Sequence, residues 1–477
     1  MGRAILVLAS ASLAVVLLLG VSGSISGPVA AQTTSAKPNI VFILADDMRY
    51  DDLKYMPKTR SLLGARGMRF QQAFVSLAMC CPSRATILRG QYSHNHKVWF
   101  NENGPLGGWQ AFRTRGYERG NLAIRLHAAG YRTGLFGKYL NGYSGTSVPR
   151  GWDDWFANLQ PVKYFDYGVN DNGTPRHFGT RASDYSTDVL SAQTQEFIDA
   201  SVAARKPFLA YVAPTAPHSP PRLPAIPAPR DRHTFDGEKA PRRPSFNERD
   251  VSDKPPWIKS RPLLSAAQIT QIDNRQEGRA ETLQALDDLV AGVVNKLSSS
   301  GVLRNTYVFF TSDNGWETGE HRLLDGKRQF YEESIHIPLL VRGPGVAAGS
   351  TTSKLVLNAD FFPTLATLAG TQPPSYVDGR SLRPVLNRRP TNWRSAILLE
   401  ARYQSSTRPS AYGIRTSNGR KYIEYAGGVR ELYNLRTDPY ELRNTHNAAT
   451  PPISLVQRLE ALKVCTGNSC RAAENGP

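Results

Sequence analysis

The chain has 477 residues, 40% hydrophobic and 21% charged, the make-up of a globular protein with a large core rather than of a disordered or fibrous one. Its 58 Lys and Arg against 40 Asp and Glu leave a formal net charge of +18, a field that concentrates anionic partners. No zinc-finger spacing, RNA-recognition motif or basic heptad run accompanies that charge, so nucleic acid is not the expected partner. The length predicts one large domain and a smaller one.

In chain order, Arg3 precedes an apolar run from Ala4 to about Val21, and Val29-Ala30-Ala31 offers a cleavage site. This layout predicts a secretory signal peptide over residues 1–31 and a secreted or extracytoplasmic protein; an uncleaved anchor is the competing reading. No later segment is apolar for long enough to span a bilayer. Export bears on the four cysteines. Cys465 and Cys470 enclose only Thr-Gly-Asn-Ser, so a small disulfide is expected there. Cys80 and Cys81 are adjacent, and a bridge between them would be strained.

Pro38 to Ala45 is a continuous β-branched and apolar run that ends in Asp46 and Asp47. It predicts a buried parallel strand with carboxylates at the C-terminal edge, where open α/β sheets bind ligands. Two adjacent carboxylates repel each other, and a hard divalent cation with oxygen ligands relieves this. Alone, the pair would be an ordinary strand-end turn. Thr306 to Ser312 repeats the pattern and ends in Asp313 and Asn314. Three carboxylates and an amide at one sheet edge suit Ca²⁺ or Mg²⁺.

Between these strands lies Cys80-Cys81-Pro82-Ser83-Arg84, followed by Leu88-Arg89-Gly90. The thiol is predicted just ahead of a helix, where free N–H groups and the helix dipole favour an anion. Arg84 adds a planar fork of donors suited to a tetrahedral oxyanion. The ordered string Cys-x-Pro-Ser-Arg and Leu-x-Gly resembles the signature of the type I sulfatases, in which the first cysteine is oxidised to formylglycine. That resemblance implies an α/β fold of the alkaline-phosphatase type, a large, mostly parallel sheet flanked by helices. The catalytic domain is expected over 38–388 and a smaller C-terminal domain, with an antiparallel sheet, over 389–477.

Further stretches match. Asn121 to Ala129 predicts a helix stopped by Gly130, and Tyr131 to Phe136 the next strand. Gly137-Lys138-Tyr139-Leu140-Asn141 then resembles the second sulfatase signature, whose lysine contacts sulfate. Leu140 stands where many sulfatases have histidine, so the last proton acceptor is left unassigned. Pro207 to Ala213 is another strand, and the Pro-rich loop after it delivers His218, which matches the family's leaving-group histidine. Pro220 to about Pro262 reads as a long excursion without its own core, which the resemblance puts beside the substrate cleft. Leu264 to about Ser300 predicts a helix with Leu283, Leu286, Leu289, Val290, Val293 and Val294 in the core. Lys327, in Gly326-Lys327-Arg328-Gln329, matches the second sulfate-contacting lysine, and His321 is assigned to the pocket wall or to the surface. Short alternating runs beyond about Arg389 predict the antiparallel sheet.

The resemblance covers roughly Pro38 to Asn444 and lies nearest the N-acetylglucosamine-6-sulfatase group. It implies hydrolysis of sulfate monoesters of sugars or aryl alcohols, after a formylglycine-generating enzyme has modified Cys80. Asp46, Asp47, Cys80, Asp313 and Asn314 would hold the cation. Arg84, Lys138, His218 and Lys327 would bind sulfate, and His218, with Lys327, would protonate the leaving alcohol. Competing readings are a phosphomonoester or phosphonate hydrolase of the same superfamily, and a non-catalytic binder of sulfated glycans.

Overall fold

Runs rich in β-branched and aromatic residues form the strands. In chain order they begin with β1 (Asn39–Ala45), β2 (Met68–Phe70), β3 (Ala73–Phe74), β4 (Arg132–Gly137), β5 (Asp154–Asn158) and β6 (Tyr167–Asp171). Next come β7 (Thr174–Phe178), β8 (Phe208–Ala213), β9 (Thr306–Ser312), β10 (Leu339–Arg342), β11 (Ser350–Thr352) and β12 (Val356–Leu357). The last four are β13 (Ala396–Ala401), β14 (Ala411–Thr416), β15 (Arg420–Tyr425) and β16 (Arg430–Asn434). This computed structural model describes residues 37–220, 223–389, 392–404 and 410–476, with isolated positions before residue 9. Apart from those positions, the predicted signal peptide lies outside the described residues.

Ten strands form one sheet in the order β11-β2-β10-β9-β1-β8-β4-β5-β6-β7. Its centre, β9-β1-β8-β4-β5, is parallel throughout, while β10 and the β5-β6-β7 edge pair antiparallel. Strands β13 to β16 make a separate four-stranded antiparallel sheet. Both sheets belong to one compact unit, Lys37–Pro477, and the fold is the alkaline-phosphatase-like α/β architecture.

The apolar run of β1 is continuous because both its faces are covered. Ile40, Phe42 and Leu44 join one core with Ile87 and Phe361, while Val41, Ile43 and Ala45 join a second with Leu190, Phe197, Leu283 and Leu286. The two-residue period of the strand divides the cores. Helix Ala266–Ser299 runs under the second face; its start is set by a capping box between Ser265 and Gln268. All six of its predicted core residues are buried. Helix Leu122–Ala128 is capped by Asn121, whose side chain accepts from Ile124 N, and Gly130 turns the chain away with φ +86°. No described helix is long and apolar enough to cross a membrane.

The sequence analysis did not foresee the antiparallel edges of the large sheet or helices Ile453–Lys463 and Asn468–Asn475. Strands β2 and β11 have three residues each, too few to carry a readable period, and their partners are distant in sequence, whereas β5, β6 and β7 have five each and follow one another along the chain. Cys465 and Cys470 form the expected disulfide, and Cys470 lies in the last helix.

A buried ion cluster ties the segment before β13 to both ends of the fold. Arg394 lies 2.5 Å from Asp360 and 3.0 Å from Glu474, and Tyr92 donates to Glu474 at 2.6 Å. Arg394→Ala would leave two buried carboxylates without their shared cation, at a cost of about 3–5 kcal/mol. Thermal melts should show a lowered midpoint; an unchanged midpoint would mean that the cluster contributes nothing net.

Candidate active site

Strands β9, β1, β8 and β4 are consecutive and parallel in the sheet, so their C-terminal ends lie side by side. Such an edge is where open α/β sheets place their ligands. Each of the four ends carries a predicted site residue or leads into the loop that does.

Strand β1 delivers Asp46 and Asp47. Asp47 adopts φ +66°, a conformation that is costly for a residue with a Cβ. Its N–H donates to Asp313 Oδ1 at 3.1 Å, and its carbonyl accepts from Arg279 Nη2 at 2.8 Å. The next amide, Met48 N–H, donates to Ser312 Oγ at 2.9 Å. Strand β9 delivers Asp313 and Asn314, with Asp313 N–H on Ala45 O at 3.1 Å and Asn314 Nδ2 donating to Asp47 Oδ1 at 2.6 Å.

Cys80 faces this pair of strand ends. It is the first residue of helix Cys80–Arg89, one position further into the helix than the sequence predicted. Met79 enters in extended form, and Gly90 ends the helix in the left-handed region at φ +66°. The Cys80 thiol is buried, 3.3 Å from Asp46 Oδ1 and 3.6 Å from Asp47 Oδ1. Burial, and then those two carboxylates, push this thiol well above its ordinary range. As a plain cysteine it is held protonated and is a poor nucleophile. Cys81 is a free, buried thiol pushed up to about 12 by burial, and its N–H donates to Asn101 Oδ1 at 2.9 Å.

Three cations close around the cluster. Arg84, fully buried, donates from Nε to Asp313 Oδ2 at 2.7 Å and from Nη1 to Lys138 O at 2.8 Å, while its Nη2 has no hydrogen-bond partner. Lys138 Nζ sits 2.5 Å from Asp46 Oδ2. The turn that puts it there needs Gly137: φ is +108°, and a Cβ would lie 2.2 Å from Ala213 O. Lys327 Nζ donates to Asp47 Oδ1 and lies 2.7 Å from Cys80 Sγ. His218, from the loop after β8, places Nε2 3.7 Å from Asp47 Oδ2 with its side chain 32% exposed. Burial pushes His218 below its ordinary value, a shift that this exposure moderates.

The carboxylates diverge. Against burial, the charges of Lys138, His218 and Arg84 hold Asp46 well below the usual range. Burial and the charge of Asp46 lift Asp313 to about 6. Ligand atoms of Asp46, Asp47, Cys80 and Asp313 lie within 4.8 Å of one another. Asp47 Oδ2 and Asn314 Oδ1 are buried without a hydrogen-bond partner. Orphaned hard oxygen donors at the centre of a carboxylate cluster fit a divalent cation with oxygen ligands.

The predicted residues of the cluster thus meet at one edge, and one other reading is corrected. His321 is neither pocket wall nor surface: it is fully buried, with Nδ1 2.6 Å from Glu248 Oε2 and its ring stacked 3.9 Å from Tyr331. Leu140 is fully buried and carries no ionisable atom. Among its described residues, the excursion after Pro220 borders two cavities. Pro220 and Ile226 line a cavity of about 420 Å³ beside Asp46, Lys138 and His218, whereas Pro244 to Asp253 borders a separate one of about 770 Å³. Arg279 was missed as a support of Asp47. Its signal was a charge within the buried face of a long helix, near Leu283 and Leu286.

Comparison with known proteins agrees with this geometry. A family model described as sulfatase matches residues 38–371, and one described as N-sulphoglucosamine sulphohydrolase, C-terminal, matches residues 319–463. The N-acetylglucosamine-6-sulfatase of Capra hircus is 36% identical over 95% of this chain and 87% of its own length. The human N-acetylglucosamine-6-sulfatase is 35% identical over 95% of this chain and 90% of its own. A structure solved in complex with its substrate D-glucosamine-2-N,6-O-disulfate superposes with a TM-score of 0.74 at 25% identity, over 91% of this chain and 98% of that one. A family model over most of the chain and relatives above 30% identity along nearly all of it lead to one conclusion: the chain belongs to the sulfatase family and is a sulfuric ester hydrolase.

Proposed function

We propose that this enzyme removes ester sulfate from sulfated sugars, with Cys80, oxidised to formylglycine, as the nucleophilic position. The observation that carries the reading is the setting of Cys80: a thiol at a helix start, kept protonated by burial, ringed by carboxylates and by Arg84, Lys138 and Lys327. A plain thiol is ill suited to attack there, and an oxidised, hydrated side chain is well suited. The sugar is supported by the relatives named N-acetylglucosamine-6-sulfatase and by the glucosamine disulfate in the similar structure.

Asp46, Asp47, Asp313 and Asn314 would hold Ca²⁺, or Mg²⁺, whose charge makes a neighbouring hydroxyl more acidic and a better nucleophile. Formylglycine at position 80, as its hydrate, supplies two hydroxyls on one carbon, one to attack sulfur and one to expel sulfate. Arg84, Lys138 and Lys327 neutralise the sulfuryl oxygens, and the unpartnered Nη2 of Arg84 offers a donor that needs no rearrangement. His218, with Lys327, gives the departing alcohol its proton at the cleft mouth. The same reading includes a formylglycine-generating enzyme as maturation partner and export with removal of residues 1–31. It divides the chain into a catalytic domain, 38–388, and a smaller domain, 389–477.

Four kinds of experiment test it. Mass analysis of the peptide that spans Cys80 from active enzyme should show an aldehyde or its hydrate in place of the thiol, with Cys81 unmodified. Chelation should abolish turnover of an aryl sulfate, and Asp313→Ala should do so while circular dichroism stays native; full activity in a metal-free preparation would remove the cation from the mechanism. Cys80→Ala should lose several orders of magnitude in kcat, the scale of losing a nucleophile. Cys81→Ala should keep most of it. Cys80→Ser has one hydroxyl, so it should release alcohol at most once and stall as a serine sulfate visible by intact mass. Sustained turnover by Cys80→Ser would mean that the second hydroxyl has no role. Cleavage of aryl phosphates or phosphonates in preference to sulfates would replace the sulfate reading with the competing one.

A further inference from the structure

The cleft beside the cluster carries polar atoms that sulfate-ester cleavage does not use. The cavity of about 420 Å³ is lined by Asp46, Lys138 and His218, and also by Asn141, Tyr164 and Thr215. Its volume is that of a site for one small ligand. Thr215 is 2% exposed, and its Oγ1 is buried with no hydrogen-bond partner. Asn141 Oδ1 is likewise buried and without a partner. Buried polar atoms left unpaired are rare and costly. Asn141 and Thr215 both line that cavity, so a ligand seated there is a partner that either side chain reaches by turning.

Both side chains are mounted on fixed backbone. Asn141 O accepts from Trp109 N at 2.7 Å, and the following carbonyl, Gly142 O, accepts from Asn103 Nδ2 at 2.9 Å. Thr215 O accepts from His218 N at 2.8 Å, so one turn carries Thr215 and the histidine proposed to protonate the leaving group. Tyr164 OH donates to His218 O at 2.9 Å and steadies that turn from the other wall. The backbone under both side chains is therefore fixed before a ligand arrives. Their chemistry is selective. A carboxamide oxygen only accepts, so Asn141 Oδ1 asks for an O–H or N–H on the ligand, whereas a threonine hydroxyl both donates and accepts. A sugar ring with free hydroxyls and an amide N–H meets both demands; a simple aryl sulfate offers no donor.

We infer that Asn141 and Thr215 are specificity-determining residues that hydrogen-bond the hydroxyl or amide N–H groups of the sugar ring bearing the scissile sulfate. The inference rests on the sulfated-sugar reading proposed above. It separates two tasks in the cleft: the cations and His218 act on the ester, and Asn141 and Thr215 read the ring.

The test compares kcat/KM for N-acetylglucosamine 6-sulfate and for nitrophenyl sulfate in the mature enzyme and in Asn141→Leu, Thr215→Val and Thr215→Ser. A site built to hydrogen-bond a substrate rejects poorly when that bond is removed. The ratio of sugar to aryl kcat/KM should fall about ten- to a hundredfold in Asn141→Leu and in Thr215→Val, and should hold in Thr215→Ser, which keeps the hydroxyl. Because these atoms have no protein partner, neither apolar variant should lower the thermal midpoint, which separates ring reading from a structural role. If the wild type cleaves the sugar sulfate and both ratios stay within about twofold, this inference fails and the sulfatase reading stands. A lowered midpoint with an unchanged ratio would also overturn it. A wild type that cleaves the aryl ester but no sugar sulfate would sink the sugar reading and this inference with it.

Discussion

Three buried carboxylates of like charge, Asp46, Asp47 and Asp313, are held within reach of one another, and much of the surrounding structure exists to make that tolerable. An isolated carboxylate in such surroundings would be neutralised or would break the fold. Here the compensation is built in on several sides. Arg84 lies on Asp313, Lys138 on Asp46 and Lys327 on Asp47, while Arg279 holds the Asp47 main chain from beneath. The cluster is therefore a poised electrostatic site, with orphaned oxygens at its centre and cations at its rim. The same arrangement that suits a divalent cation also suits an oxyanion brought against the rim.

The parallel sheet makes the cluster possible. In register, Ala45 of β1 faces Ser312 of β9, and Gly137 of β4 faces Ala213 of β8, so residues one step past the strands emerge together. A parallel arrangement requires long crossovers, and the helices Ser186–Ala203 and Ala266–Ser299 fall within them and supply the second core. Core packing and site support coincide in these elements: the helix that buries Leu283 and Leu286 also carries Arg279 to the back of Asp47.

The smaller sheet contributes through the loop that presents Lys327. Glu317 N–H donates to Gly326 O at 2.7 Å, closing that loop, and Trp316 N–H donates to Glu333 O at 2.9 Å. Lys421, fully buried on β15, donates to Phe330 O at 2.7 Å and pairs with Glu332 at 2.8 Å. The C-terminal strands thus brace the segment that brings the second lysine to Cys80. A change in that sheet reaches the site through packing and charge.

The sequence by itself determined the strands with continuous apolar runs, the long capped helix, the acids that end β1 and β9, and the ordered motif at Cys80. Each is local: a period, a cap or a string of neighbours is written in consecutive residues. It also determined the family, because the motif's order is more specific than its composition. Only the tertiary structure decided which residues are left unpaired and which are merely buried. His321 reads as a candidate in sequence and is an interior partner of Glu248; Arg279, which the sequence did not single out, supports Asp47. Asn141 and Thr215 lie in stretches that the sequence marks, yet nothing local shows that both line one cavity with an oxygen unsatisfied. Hydrogen-bond satisfaction and the sign of a buried charge depend on groups hundreds of residues away, so they are properties of the packed chain and not of any segment of it.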